Sequence, residues 1–462
     1  MKTTHTLKLH QIIILTTALF VVLFYDEYIG LNLGILGVFL AFFTLYRTPD
    51  KNRTRIFLTL FVTSVLSGVA FAWFGDFVSF LAVVSSLFLL GLKSRNRNLK
   101  SLFVIPVLIT NVFTFICRFF DFKKWYPKTK SEGTGQKLVA VILIPAFFVF
   151  VFFAIYTYGS DHFANLFTDF ELNINFFQLI GLTVLGFFIA FNYWNFAVEK
   201  FFYKQNRYLS NTFENPKKEQ KPTFDFLNLD FERLSGLISL MALNAMLIIF
   251  IITYNYEQFI EIPKTPNQLS AETHERVNAV IMSIVMAILV IMFYFKGSFN
   301  FDKKAGLLKI SAKIWIFLNA VLVISAMVKN TEYVVSYGLT YKRLGVYAFL
   351  ILSIIGLITT FIKIQKQKTN AFLFNTMFGY VYGTILVCSY VNWGGIITSN
   401  NMKRSDFAVN FHKTSINFSE KQLLEFADKT NDKYLKNEIL YKIESEKEKS
   451  FLSKILYYET IK

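Results

Sequence analysis

The chain has 462 residues, 54% of them hydrophobic and only 17% charged, with a mean hydropathy of +0.44. Soluble domains carry charge on roughly a quarter of their residues, so a soluble globule is excluded and lipid must be the solvent for most of the chain. A net charge of +17 would suit nucleic acid if it formed one face of a compact domain, but here Lys and Arg fall in short segments between apolar runs, which fits a charged membrane surface and excludes a nucleic-acid partner.

Crossing ~30 Å of hydrocarbon takes about 20 helical residues. Runs near that length place membrane segments at about 12–28, 30–46, 56–74, 77–92, 101–120, 138–158, 176–197, 235–254, 278–296, 312–328, 345–362 and 371–393. The fold class is therefore all-α: a polytopic transmembrane helical bundle of 11 to 12 segments with a small helical C-terminal tail. Residues 1–120 read as N-terminal membrane helices and 121–137 as a basic loop. The main membrane domain is 138–400, with a polar interfacial loop at 202–233, and 401–462 is a helical extramembrane tail. The first apolar run, Ile12 to Phe24, follows Lys2 and Lys8 as a signal peptide would. Asp26, Glu27 and Tyr28 stand where small cleavage-site residues belong, so it reads as an uncleaved first span.

Cytoplasmic loops are enriched in Lys and Arg. The N-terminus, the loop with Arg47, Lys51, Arg53 and Arg55, and the loop with Lys93, Arg95, Arg97 and Lys100 all read as inside, while Asp26 to Asn32 and Gly75 with Asp76 read as outside. The fifth segment breaks this alternation, because Arg118, Lys123, Lys124, Lys128, Lys130 and Lys137 follow it. If Ser101 to Phe120 dips in and returns, with Pro106 as the natural break, or lies at the interface, there are 11 spans and the tail is outside. Twelve full spans put the tail inside and reverse the later loop preferences.

In the interfacial loop, Phe224, Phe226, Leu229 and Phe231 alternate with acidic and amide residues, the pattern of a segment resting on lipid. Further on, Ser270 is placed to cap a helix in which Glu272 and Glu275 favour the positive N-terminal end. The tail is nearly charge-balanced and carries its own helix signals. Ser419 with Gln422 makes a capping box, and Phe418 with Leu423 a hydrophobic staple, so a helix should begin at Glu420. Tyr434, Leu435, Ile439, Leu440 and Ile443 continue with helical spacing.

Chemistry-bearing residues are few. Cys117 and Cys388 lie in or at the ends of apolar segments and define neither a disulfide framework nor a zinc site. The spans hold Asn111, Asn192, Asn195, Asn244, Asn319, Asn375 and Asn392 but almost no ionisable group, which argues against ion-coupled transport. Such amides ordinarily hold helices together, whereas Asn319, Asn375 and Asn392 would line a polar path if they converged. Gly30 with Gly34 and Gly379 with Gly383 have the spacing of close helix packing. His162 and His274, each beside carboxylates in expected outer loops, lack metal-ligand spacing, and no catalytic or metal residue and no cofactor is assigned. No P-loop, GxGxxG turn or GxSxG elbow occurs.

The segment Tyr337-Gly338-Leu339-Thr340-Tyr341-Lys342-Arg343-Leu344-Gly345-Val346-Tyr347, with His274 to Asn278 before it and Val391-Asn392-Trp393 after it, resembles a bacterial multi-pass membrane family of unknown function, the domain-of-unknown-function group numbered 4153 and 4173. The similarity runs from about Leu138 to the tail. It implies a bacterial inner-membrane protein and carries over no activity or catalytic residue. Physically, the tyrosines suit an interfacial belt, Gly338 a turn and Thr340 a helix cap, while Lys342 and Arg343 can snorkel toward phosphates. Tyr337, Tyr341, Lys342 and Arg343 are thus candidate contacts for an anionic lipid or polymer on the outer face. The reading is a membrane protein, non-enzymatic on balance, associating with envelope lipids or with a partner membrane protein. The alternatives are a permease-like carrier of a small neutral or lipidic substrate and an envelope-modifying membrane enzyme.

Overall fold

A computed structural model describes residues 8–126, 141, 144–160, 163, 175–214, 222, 226–260 and 266–461, the side chains of 258–259 and 266–276 excepted. Every regular element among them is helical. The N-terminal part comprises α1 (Leu9–Phe24), α2 (Leu31–Arg47), α3 (Arg55–Phe74), α4 (Phe77–Arg95), α5 (Val104–Phe113), α6 (Phe115–Phe120), α7 (Ile144–Gly159) and α8 (Phe176–Trp194). There follow α9 (Leu229–Phe259), α10 (Pro266–Tyr294), α11 (Gly306–Tyr337), α12 (Tyr341–Gln365) and α13 (Asn370–Ser389), then the tail helices α14 (Trp393–Asn401), α15 (Val409–Ser415), α16 (Glu420–Thr430) and α17 (Lys433–Lys447). Eight helices of the bundle are long and apolar enough to cross a membrane, and four shorter apolar helices accompany them. The chain is a multi-pass helical membrane protein.

Starts and stops follow local chemistry. Thr54, Asp76, Thr340, Thr369 and Asp432 each accept a backbone N–H at the start of a helix, the commonest way to satisfy those orphan donors. Gly75 ends α3 in the left-handed region at φ 61°. α10 begins at Pro266, so Ser270 lies inside that helix rather than capping it.

Two apolar cores form. One gathers buried residues from Ile12 to Phe202 and the other from Leu240 to Ile364. The first core thus runs past residue 120, because α8 pairs lengthwise with α1. Trp194 Nε1 donates to Thr16 Oγ1 at 2.8 Å near one end, and Asn175 N donates to Tyr25 Oη at 2.7 Å near the other. Of the two glycine pairs, the first is packed: a Cβ on Gly34 would stand 2.6 Å from Gly68 O of α3, and one on Gly30 would stand 2.5 Å from Ser453 O of the tail. Around Gly379 and Gly383 nothing lies within 4 Å, so the second spacing makes no close contact among the described residues.

The helix ends sort into two faces. At one, the α2–α3 turn meets the end of α4, with Asn52 donating to Ser94 O at 2.8 Å. Lys100 N reaches Asn206 Oδ1 at 2.9 Å, Thr369 reaches Ser210 O, and the Arg233–Asp302 pair closes at 2.8 Å. This is the face that carries the basic loops. The tail covers the opposite face. Leu31 N donates to Lys454 O at 2.9 Å, Phe74 packs on Phe418 and Tyr457, and Gly75 abuts Ile455.

The ambiguous fifth segment begins and ends on the basic face. It starts beside the Lys100–Asn206 bond, and the Tyr126 ring at its end lies tilted, 5.3 Å from the His10 ring in the first turn of α1. The break falls at Thr114, between helices of 10 and 6 residues, and not at Pro106, which sits in the first turn of α5 where its missing N–H costs nothing. Arg118 anchors this segment to the end of α8 by donating to Asn195 O, Asn111 O and Asn192 Oδ1. The remaining part of the basic loop, 127–137, lies outside the described residues.

Candidate functional site

The YGLT segment is the turn between α11 and α12, and its residues either join that turn to the tail or close the turn itself. Gly338 has φ 81°, and a Cβ there would lie 2.8 Å from Asn401 Oδ1. The next residue, Leu339, gives its N–H to Asn401 Oδ1 at 2.6 Å and receives Asn401 Nδ2 on its carbonyl at 2.9 Å. Thr340 caps α12, as its position predicts. Tyr341 Oη accepts from Asn417 N and donates to Asn417 O. Arg343 donates to the carbonyls of Tyr337 and Gly338 and lies 4.0 Å from the centroid of the Tyr333 ring.

Among the four candidate contacts, then, Tyr341 and Arg343 are held by the fold and Tyr337 gives its carbonyl to Arg343, while Lys342 is exposed and makes no ion pair or hydrogen bond among the described residues. The sequence reading treated Lys342 and Arg343 as equivalent; the structure separates them. Tyr341, Lys342 and Arg343 line a cavity of about 400 Å³ that is closed on its other sides by Asn330, Val346 and, from the tail, Phe411 and Ile416. The start of α12 opens onto the same space and adds the positive end of a 25-residue helix dipole to the Lys342 charge.

Behind this cavity the tail is latched by a buried histidine. Asn401 Nδ2 donates to His412 Nε2 at 3.1 Å, so Nδ1 carries the proton and donates to Thr398 Oγ1 at 2.9 Å. The ring is only 2% exposed, and burial pushes its pKa down from 6.5 to about 4. Tail and turn are further tied by Arg404, which donates to Val335 O and Ser336 O and pairs with Asp406 at 2.9 Å. That arginine holds the Asp406 carboxyl below its usual range.

The three asparagines of the expected polar path do not meet. Asn319 is fully buried in the second core and bonds its own helix at Trp315 O. Asn375 lies at the basic face, donating to Leu209 O and Asn211 Oδ1. Asn392 lies at the tail face, capping α14 and donating to Phe418 O. His162 and the His274 side chain fall outside the described residues.

In the tail, α16 does begin at Glu420, but Ser419 makes no cap bond and instead donates to His412 O and Ile416 O. Phe418 and Leu423 do join one apolar cluster, with Leu435, Ile439, Ile443, Tyr457 and Tyr458. Glu420 is 1% exposed and pairs with Lys442 at 2.7 Å. Sequence reasoning missed this pair and His412, because neither residue stands in an apolar run or a recognised spacing.

Fold and turn together define a multi-pass helical membrane protein with a packed C-terminal cap. The chain belongs to the family described as Domain of unknown function (DUF4153), which matches residues 56–425. The match starts well ahead of Leu138 and takes in α3 through most of α16. No curated protein and no solved structure matches the chain.

Proposed function

We propose that this is a non-enzymatic bacterial inner-membrane protein whose cap faces the envelope and holds an anionic lipid head group or envelope polymer beside Lys342. Lys342 carries the reading: among the described residues it is the one cation of the turn without a hydrogen bond or ion pair, at the rim of a cavity made jointly by α12 and the tail. Sidedness supports it, since the basic loops gather on the face opposite the cap and such loops stay in the cytoplasm. Lys342 on the outer face is then a cation that the orientation rule does not require.

The test is lipid retention by the protein released from nanodiscs containing phosphatidylglycerol, read by native mass spectrometry. Lys342→Gln should lose one retained phosphatidylglycerol relative to the parent, with the fold intact. An unchanged count would end this reading. Arg343→Gln is unsuitable for the purpose, because it also removes the bonds that close the turn. A partner membrane helix is the second reading, favoured by the open surface at Gly379 and Gly383; cross-linking of copies or partners through Gly383→Cys would test it, and no adduct would count against it.

A further inference from the structure

On the other face, the N-terminal half contains a site that the cap does not reach. Between α2, α4, α5 and α8 lies a cavity of about 260 Å³ with an almost wholly apolar lining, well above the ~150 Å³ at which a dry apolar cavity already takes up a benzene-sized ligand. It extends along α4 from Phe80 to Leu92, roughly 18 Å at 1.5 Å per residue. Phe80 and Val112, 40% and 44% exposed, put its wall in reach of the surrounding lipid. Its polar lining, Asn111, Asn192 and Tyr193, is close to the basic face.

At that end stand three arginines. Arg118 donates to the lining residues Asn111 and Asn192. Arg95 donates to Trp194 O and Phe196 O, its guanidinium 4.5 Å from the centroid of the Phe196 ring. Arg47 lies 5.8 Å from the Trp194 ring centroid, and its Nη1 is buried without a hydrogen-bond partner among the described residues. Arg95 is within electrostatic reach of both Arg47 and Arg118. Among the described residues none of the three is ion-paired, and Glu199 is the carboxylate whose charge Arg118 feels. Three cations grouped on carbonyls and rings repel one another with only Glu199 to offset them, and an unpartnered buried N–H leaves a donor to be filled.

We propose that this half of the protein binds one phosphate-bearing lipid, with its chain in the α2–α4–α5–α8 cavity and its phosphate against Arg47, Arg95 and Arg118. The length of the cavity suits a chain running from the basic face toward the cap. Arg47 supplies the free donor, while Arg95 and Arg118 supply charge from positions that the fold fixes. A two-chain phospholipid and a long-chain polyprenyl phosphate share this chemistry.

Photolabelling tests the proposal on the full chain in nanodiscs, using phosphatidylglycerol with a diazirine in its acyl chain and peptide mapping of the adducts. Adducts are expected on α4 and α5, and Arg47→Gln should lower them about fivefold or more, since charge-assisted phosphate contacts are strong. Among the described residues the Arg47 side chain donates no hydrogen bond, so this variant is expected to keep the bundle. Leu108→Trp, which fills the cavity, should abolish the same adducts, while Lys342→Gln should leave them unchanged and so separates this site from the one under the cap. Competition by unlabelled phosphatidylglycerol or by a polyprenyl phosphate identifies the source, and competition by neither overturns the proposal. Labelling of equal strength from a phosphatidylcholine analogue, or labelling unmoved by both Arg47→Gln and Leu108→Trp, also overturns it.

Discussion

The two faces of the bundle solve one problem, the unsatisfied groups at helix ends, with chemistry that is only partly shared. On the basic face α2, α4, α8, α10 and α12 end, and cations serve their carbonyls: Lys93 reaches Leu99 O, Arg53 reaches Leu45 O at 3.1 Å, and the fully buried Lys363 reaches Phe295 O at 2.6 Å. Positive charge is favourable at helix C-termini, so the residues that set orientation also hold the fold. On the cap face cations also close a helix end, Arg343 at the Tyr337 and Gly338 carbonyls and Arg404 at those of Val335 and Ser336, and neutral groups complete the join: the Asn401 amide, the His412 ring, and backbone contacts between the tail and the turns at 28–31 and 338–339. The difference teaches that cations close helix ends on both faces, whereas only the cap face adds the neutral side chains and backbone of the tail; Lys342 belongs to neither set, having no hydrogen bond or ion pair among the described residues.

The comparison can be broken most sharply at Gly338. A non-glycine residue there meets both the positive φ and the Asn401 side chain, so Gly338→Val should cost upwards of about 3 kcal/mol, strain alone being worth ~1–3, and lower the thermal midpoint in detergent. Gly306→Ala on the basic face, with nothing within 4 Å, should leave that midpoint in place.

Acid should loosen the cap before the bundle. His412 is buried neutral, and protonating Nε2 would set an N–H against the Asn401 amide N–H. Its folded pKa of about 4 lies below the ordinary 6.5, so its contribution is complete above pH 6.5 and is lost as pH falls toward 4. The full loss approaches about 3 kcal/mol at 1.36 kcal/mol per unit. Amide exchange at Leu339 and Asn401 should accelerate over this window, and unchanged exchange would show that the latch does not depend on the neutral ring. Replacing Lys363 with Met strips a donor from the end of α10 and should cost about 2 kcal/mol, within the ~1–3 expected for a buried group left unsatisfied; thermal unfolding measures it. Smallest of all, Asp50→Asn breaks an exposed pair with Arg53 and should shift stability by less than ~0.5 kcal/mol in the same assay.

The bundle was legible because lipid imposes a simple rule: long apolar runs become helices, and the twelve runs correspond to twelve apolar helices. The start of α16 and the Thr340 cap were legible from short-range chemistry. What failed depended on tertiary choice. Ser419 had two carbonyls within reach and took those instead of capping. Asn375 and Asn392 share one helix and its exit, yet face opposite ends of the bundle, and composition cannot tell such positions apart. The cavity at Lys342 was invisible because one wall, Phe411, Ser415 and Ile416, comes from the tail, about seventy residues on. Arg343, next in sequence to Lys342, is pulled inward by the Tyr333 ring and the Tyr337 carbonyl, a difference that only the folded turn creates.

Opposite placement of the cap and the basic loops across the membrane is tested most directly by single-cysteine labelling in intact cells with an impermeant maleimide, after Cys117 and Cys388 are replaced. Ser419 is 1% exposed and would not report, whereas Tyr434 is 81% exposed on the cap and Lys51 is exposed on the α2–α3 turn. Tyr434→Cys should label in intact cells and Lys51→Cys only after lysis. Labelling of Lys51→Cys in intact cells, with Tyr434→Cys protected, would contradict the account.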